Sequence, residues 1–269
     1  MKTITSLDNK LIKLVSKLKE AKNRKKEKMF IVDGKRELIL AKESNYNPKY
    51  VFVNEDLIDL SDEFINTLNG TEIILVSNNI FKNICYKENP DGYLSVFNYP
   101  ESDNNSLFKE VKINNKPIIV LDRVEKPGNV GAIIRTMIAA GLNNLILSNC
   151  SFDIFNPNII RSSEGLVFSV NYIYNQEEEI LNHLKTKKIK IIGTATNSTK
   201  LYSDESISKN TALVFGSENK GLGDFWLNNA DNLLKIPMIN KNVDSLNVSV
   251  SAAILIYESA RQNKFKGLE

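Results

Sequence analysis

Four short stretches of this 269-residue chain combine glycines with polar side chains in a way that chemistry uses. EKPGNVGAIIR, residues 125–135, holds Asn129 and Arg135 beside Gly128 and Gly131. Glycine lets a backbone approach a ligand and Asn is a good N-cap, so helix capping and ligand binding both account for Gly128, Asn129 and Gly131. Arg135 stands among Ile133, Ile134, Met137 and Ile138. A guanidinium in such a helix must find a partner, because burying it alone is costly; a phosphate, a structural carboxylate and solvent all qualify. GTATNSTKLY, residues 193–202, leaves room for a ligand beside Gly193 and Thr194, or makes an ordinary turn. VFGSENKGLG, residues 214–223, sets Glu218 among three glycines before a helix expected to open at Leu222. That carboxylate suits the helix macrodipole, and equally a substrate hydroxyl or an arginine. KIPMINKNVDSLNVSVSAA, residues 235–253, alternates like a strand and then runs into the helical AAILIYESARQNK.

These stretches need elements to hold them. From Pro117 onward strands and helices alternate: PIIVLD, NLILSN, VFSVNYIY, KIIGTAT, TALVFG and LLKIPM read as strands, and VGAIIRTMIAAG, NPNIIRSSEG, EEEILNHLKTKK and GLGDFWLNNA as helices between them. Strands so rich in Ile, Val and Leu predict a parallel sheet covered on both faces, whose ligand loops leave the carboxyl ends of the strands. Ahead of this, LDNKLIKLVSKLKEA predicts one amphipathic helix over 7–21. MFIVDG, YVFVNE, EIILVS and YLSVFN predict strands, with KRELILAKE, DLIDLSDEFINTLN and NNIFKNICYK as helices. Between about Asn98 and Lys116 the chain turns polar around Pro100 and reads as a connection between two α/β domains, 1–105 and 106–269.

Composition closes several routes. The one histidine, His183, lies in a charged helical segment, which removes Ser–His and Cys–His nucleophile schemes. Cys85 and Cys150 are far apart and lack metal-ligand spacing, so no disulfide framework or metal site is expected. G-x-G-x-x-G and G-x-x-x-x-G-K-[ST] are both absent, which argues against a dinucleotide fold and an NTPase. No run approaches the roughly 20 apolar residues of a membrane helix. The basic start MKTITSLDNK has no apolar run behind it, so the expected location is the cytoplasm. Net charge is only +3, yet residues 1–28 hold ten Lys and Arg against Asp8, Glu20 and Glu27. Such a segment attracts a phosphate backbone, or is simply a solvated helix face.

Taken together, NVGAIIRT, GSENKGL and IPM followed by SLNVSVSAAI resemble, in order and spacing, the three signature motifs of the SpoU (TrmH) family of RNA 2′-O-methyltransferases in the SPOUT superfamily. NPNIIRSSEGLVFSV and GTAT resemble intermediate segments of that family, and the likeness spans about residues 117–265. EKMFIVDGKRELILAKE resembles, more loosely, the ribosomal-protein-like substrate-binding domain of members acting on ribosomal RNA.

The resemblance implies a C-terminal α/β trefoil-knot methyltransferase domain behind a smaller N-terminal α/β RNA-binding domain, working as a homodimer. It implies S-adenosylmethionine (SAM) as methyl donor and a ribose 2′-hydroxyl as acceptor, most readily in large-subunit ribosomal RNA. Transfer RNA, or a non-catalytic role in ribosome assembly, is the alternative. Carried over, the cofactor positions are Thr194, Gly216, Ile236, Met238 and Leu246, and the catalytic positions are Asn129, Arg135, Glu218, Ser245 and Asn247. Arg161 and Ser163 match the intermediate motif. In the family, the arginine matching Arg135 is often assigned as base; a permanently protonated guanidinium fits a phosphate-bound electrostatic group as well. No metal, histidine or covalent nucleophile is needed, because a sulfonium methyl donor asks mainly for alignment. In SLNVSVSAAI the resemblance favours a cofactor loop at Ser245 and Leu246, with a helix from about Asn247 that turns Val248, Ala252, Leu255 and Ile256 to one face.

Overall fold

The sequence folds into two compact units in the computed structural model, which describes residues 1–61, 63–68, 70–100, 116–207 and 209–265. One unit comprises Met1–Glu101 with Asp153–Ser169, the other Ser102–Phe152 with Val170–Glu269. The polar connection expected at 98–116 lies mostly outside the described residues.

In the first unit, β-branched and aromatic runs form strands β1 (Lys2–Ile4), β2 (Met29–Asp33), β3 (Pro48–Asn54), β4 (Glu72–Val76) and β5 (Tyr93–Asn98). They make one sheet in the order β1-β4-β3-β5-β2, parallel from β1 to β3 and antiparallel where β5 joins β3 and β2. Strand β1 had no signal of its own, being three residues with only Ile4 buried.

The single helix expected over 7–21 is two helices. Asn9 caps Lys10–Lys17 by accepting from the Leu11 amide at 2.9 Å, and a second helix, Ala21–Glu27, starts after Glu20 in extended conformation. The break turns Arg24 inward, where it is wholly buried. Its guanidinium donates to the Leu18 and Lys19 carbonyls at 3.1 and 2.8 Å and pairs with Asp153 at 2.7 Å. Arg24 therefore leaves the basic surface to which its lysine neighbours contribute. Segment 153–169 is fixed to this unit by Phe155 as well, whose ring stacks on Phe30 at 4.2 Å between centroids. Among the described residues of DLIDLSDEFINTLN only Glu63–Asn66 is helical.

The second unit carries β6 (Ile118–Asp122), β7 (Asn144–Ser148), β8 (Asn171–Asn175), β9 (Lys190–Thr194), β10 (Thr211–Phe215) and β11 (Asn232–Leu234). All pair in parallel, in the order β11-β9-β10-β6-β7-β8. Strands β6, β7 and β10 are buried along their whole length, which is why they read as unbroken apolar runs. Helix Glu177–Thr186 and Trp226 cover one side through Ile180, Leu184 and their neighbours. Helix Val248–Gln262 returns to pack on helix Pro127–Ala139 and on β10. It buries Val248, Ala252, Leu255 and Ile256, the face its sequence spacing predicts.

Three elements differ from expectation at their ends. VFSV is a 3-10 turn, Leu166–Ser169, so β8 begins only at Asn171. LLKIPM belongs to the sheet only as far as Leu234; Lys235 then bridges Leu201 outside it, and Pro237 has no amide to carry a ladder further. The helix after the Glu218 loop opens at Asp224 and not at Leu222. No helix among the described residues is long and apolar enough to cross a membrane.

Candidate functional site

The strand order reverses between β10 and β6, so loops leaving the carboxyl ends of two adjacent strands face one another. The β6 loop leads into helix Pro127–Ala139, whose N-cap is Lys126 with no side-chain cap bond, Pro127 following at the first helical position. Asn129, expected to cap this helix, lies one turn inside it. The cap comes from the other loop. The Glu218 carboxylate accepts from the Glu125 and Lys126 amides, each at 3.3 Å, and from the Asn129 side-chain amide at 2.6 Å. Glu218 thus serves the N-terminus of a helix 90 residues earlier, not the one that follows it.

The Asn129 carbonyl oxygen accepts in turn from the Asn247 side-chain amide at 3.2 Å. Asn247 caps helix Val248–Gln262, its oxygen accepting from the Ser249 amide at 2.9 Å and the Ser249 hydroxyl at 2.6 Å. Glu218, Asn129 and Asn247 thereby form one hydrogen-bonded chain with every polarity fixed by the carboxylate. Partial burial pushes the Glu218 carboxyl up, but the Asn129 amide and the backbone N–H groups outweigh it and hold the group below the usual glutamate range.

Beside this chain lies a cavity of about 440 Å³ at the carboxyl ends of β9, β10 and β11. Thr194, Gly216, Ile236, Met238 and Leu246 all line it, together with Glu218 and Ser245. Gly216 is demanded by close approach: a Cβ there would overlap the backbone of Gly221 and Leu222. The Ser217 and Gly221 backbones exchange hydrogen bonds of 3.0 and 2.9 Å, which pins the loop carrying Glu218. The walls are mixed, with apolar Leu222, Leu227, Ile236 and Leu246 and polar Thr194 and Asp244. Such a lining suits a small ligand with both apolar and polar parts.

Arg135 does not line this cavity. It is exposed, on the side of helix Pro127–Ala139 away from buried Ile133, Ile134 and Met137. Its apolar neighbours occupy one face of the helix and Arg135 projects from another, so the guanidinium is not buried among them. Ser163 is buried in the first unit, its hydroxyl bonded to Ile160 O and Val167 N, and Arg161 lies over the Tyr86 ring at 6.0 Å. The amides of Glu125 and Lys126 went unnoticed in the sequence, as backbone donors carry no residue signature.

Comparison with known proteins decides what this arrangement belongs to. The SpoU rRNA Methylase family matches residues 116–257, more than half of the chain. The chain belongs to the SpoU methylase family. Ahead of the SpoU region, an MRM3-like substrate binding domain matches residues 9–95. Over 257 residues the chain is 30% identical to the 23S rRNA (guanosine(2553)-2'-O)-methyltransferase RlmP of Bacillus subtilis, covering 96% of this chain and 98% of that protein. The crystal structure of an RNA 2'-O ribose methyltransferase superposes with a TM-score of 0.86 at 31% identity, over 97% of this chain and 99% of that one. The SpoU methyltransferase AviRb from Streptomyces viridochromogenes, solved with AdoMet, superposes at 0.84 with 26% identity, over 95% and 98%.

Proposed function

We propose that this SpoU protein transfers a methyl group from SAM to a ribose 2′-hydroxyl of large-subunit ribosomal RNA. One observation carries the reading: five side chains or backbone positions from three separate motifs, Thr194, Gly216, Ile236, Met238 and Leu246, line a single cavity, and Glu218 of the polar chain stands in its wall. The SAM-bound neighbour and the ribosomal RNA substrates named for relatives support it.

In this reading SAM supplies, when bound, an activated sulfonium methyl. Everything else is alignment by the chain's own groups. Gly216 keeps the cavity wall at backbone thickness, and the apolar side chains of Ile236 and Leu246 exclude water from one side of the pocket. Glu218 stays ionised at neutral pH and fixes the rotamer of Asn129, which fixes Asn247. Two amides are thereby pre-set toward the acceptor ribose, with Ser245 at the rim. Arg135 binds the phosphate next to the target and stabilises the developing alkoxide, since a guanidinium is essentially never free to take a proton.

The domains divide the work as 1–105 for RNA binding and 106–269 for methyl transfer, with lysines of the first two helices gripping backbone phosphates. The last helix exposes Val250 and Tyr257, each 47% accessible, with half-buried Ile254 between them, and Ile239 is 97% accessible. That apolar stripe supports a homodimer formed through the C-terminal domain. The return of helix Val248–Gln262 onto helix Pro127–Ala139 supports a knotted chain. Ribosomal RNA as substrate makes the cytoplasm the place of action.

The test is methylation of unmodified 23S RNA and of bulk tRNA with labelled SAM, followed by mapping of 2′-O-methyl positions. Label at one ribose of 23S RNA is expected. Label in tRNA alone overturns the substrate, and failure to bind SAM overturns the enzyme in favour of an assembly factor.

A further inference from the structure

A second cavity, of about 260 Å³, lies on the far side of the Glu218 loop. Ser217, Asn219, Lys220 and Gly221 line both hollows, so the loop is a party wall between them. The rest of the second lining comes from the carboxyl ends of β6 and β7, chiefly Arg123, Glu125, Asn149 and Ser151, and from Gly223.

Its floor is built to hold one guanidinium. Arg123 Nε donates to Asp122, which is fully buried, at 3.1 Å, and Nη2 donates to Glu177 at 3.1 Å. The same Glu177 oxygen accepts from the Asn149 side-chain amide at 2.9 Å. Arg123 and Asn149 both adopt left-handed backbone, at φ of 53° and 50°, a conformation that Asn tolerates and Arg seldom takes. Gly223 completes the cradle, because a Cβ there would overlap the Arg123 guanidinium. Two carboxylates occupy the edges of Arg123 while its side chain stays 45% accessible.

The chemistry of the occupant follows. Arg123 is neutralised by Asp122 and Glu177, so the site does not attract a phosphate through this residue. A guanidinium locked by its edges offers its flat face, and in RNA recognition that face stacks on an unpaired base. The volume falls short of the roughly 300–1,000 Å³ of small-molecule sites and suits one base. Lys220, exposed at the tip of the shared wall, is placed for the adjoining phosphate.

We propose that this second cavity receives the base of an unpaired nucleotide next to the methylated one, stacked on Arg123. The proposal rests on the RNA-methyltransferase reading above. It gives the party wall a role: neighbouring nucleotides of one strand fall on its two sides, and the Glu125 amide, from a residue lining the second cavity, donates to Glu218 of the first.

The test uses full-length protein, labelled SAM and 23S RNA transcribed without modifications, with SAM affinity measured by calorimetry on every variant. Arg123→Ala is expected to raise KM for RNA roughly tenfold, the size of one lost base stack, with kcat and SAM affinity held. Arg123→Lys keeps the charge and loses the plane, so it is expected to behave like Arg123→Ala. Gly223→Ala is expected to raise KM by displacing the guanidinium. A transcript abasic directly 5′ or 3′ of the methylated position is expected to show the same KM rise with wild-type protein, and no further rise with Arg123→Ala. Unchanged KM in Arg123→Ala with wild-type turnover intact overturns the subsite and leaves the methyltransferase reading standing, as does an additive effect on both abasic transcripts. Rescue by Arg123→Lys overturns stacking in favour of plain charge. No methylation by the wild type overturns both readings.

Discussion

Asn129 and Glu218, 89 residues apart in sequence, meet at 2.6 Å with the amide donating to the carboxylate. The polarity of this contact sets the orientation of Asn247 beyond it, so a single charge organises residues from three loops.

Glu218→Gln replaces a pure acceptor with a group that also donates, and the Asn129 amide then faces a competing donor. A hydrogen bond to a charged group is worth about 1.5–3 kcal/mol, so kcat is expected to fall roughly 10- to 100-fold while SAM affinity changes little. The pH dependence has a definite sign. The folded protein holds Glu218 below its ordinary value of 4.5, so its stabilising contribution is present above that value and disappears as pH falls through the lowered one. Acid unfolding followed by circular dichroism is expected to show the gap between wild type and Glu218→Gln closing only below the normal glutamate range.

Gly216→Ala inserts a Cβ where the Gly221 backbone already lies. The Ser217–Gly221 turn must open, and calorimetric SAM binding is expected to be lost.

Arg135→Lys keeps a cation but removes the planar fork that grips a phosphate at two points. Single-turnover methylation is expected to fall at least tenfold if the fork is used, in line with about 1.4 kcal/mol per factor of ten. Near-normal turnover would show that charge alone suffices at this position.

Tyr257→Asp places a charge in the exposed stripe of the last helix, away from the buried Leu255 and Ile256. Light scattering is expected to give a dimer for wild type and a monomer for the variant, whose circular dichroism is unaltered. A wild-type monomer would remove the dimer from the reading.

Asp153→Ala strands the Arg24 cation in a site with no solvent access. The expected cost is about 3–5 kcal/mol, read from urea unfolding. Replacing the pair together, Arg24→Met with Asp153→Leu, is expected to recover most of that loss. Burial and the hydrogen bond to Asp153 also push the Tyr99 hydroxyl above its ordinary range, so Tyr99 is expected to stay protonated in alkaline titrations followed by tyrosinate absorbance.

Local periodicity carried much of this structure. Val248, Ala252, Leu255 and Ile256 share a face because a helix repeats every 3.6 residues, and the parallel sheet declared itself through strands apolar on both faces. Motif resemblance supplied seven of the residues that line the 440 Å³ cavity, the five cofactor positions with Glu218 and Ser245. Contacts set by strand order were not legible: nothing near Asn129 says that β10 lies against β6, so capping by Glu218 had no local signal. Composition misled at Arg24, which has lysine neighbours yet is buried, and it left open what Arg135, exposed beside apolar neighbours, would meet, because helix orientation outweighs the average character of a sequence.

The pairing of Arg24 with Asp153 also bears on how the protein is made. The N-terminal unit cannot close when its own sheet leaves the ribosome, because the carboxylate that neutralises Arg24 and the ring that stacks on Phe30 are encoded inside the methyltransferase sequence. At about 5–20 residues per second, the 55 positions from the end of β5 at Asn98 to Asp153 amount to a wait of roughly 3–11 s. During that interval a nascent chain carries an unpaired cation and an uncovered aromatic face, and it completes its first unit only while its second is being synthesised.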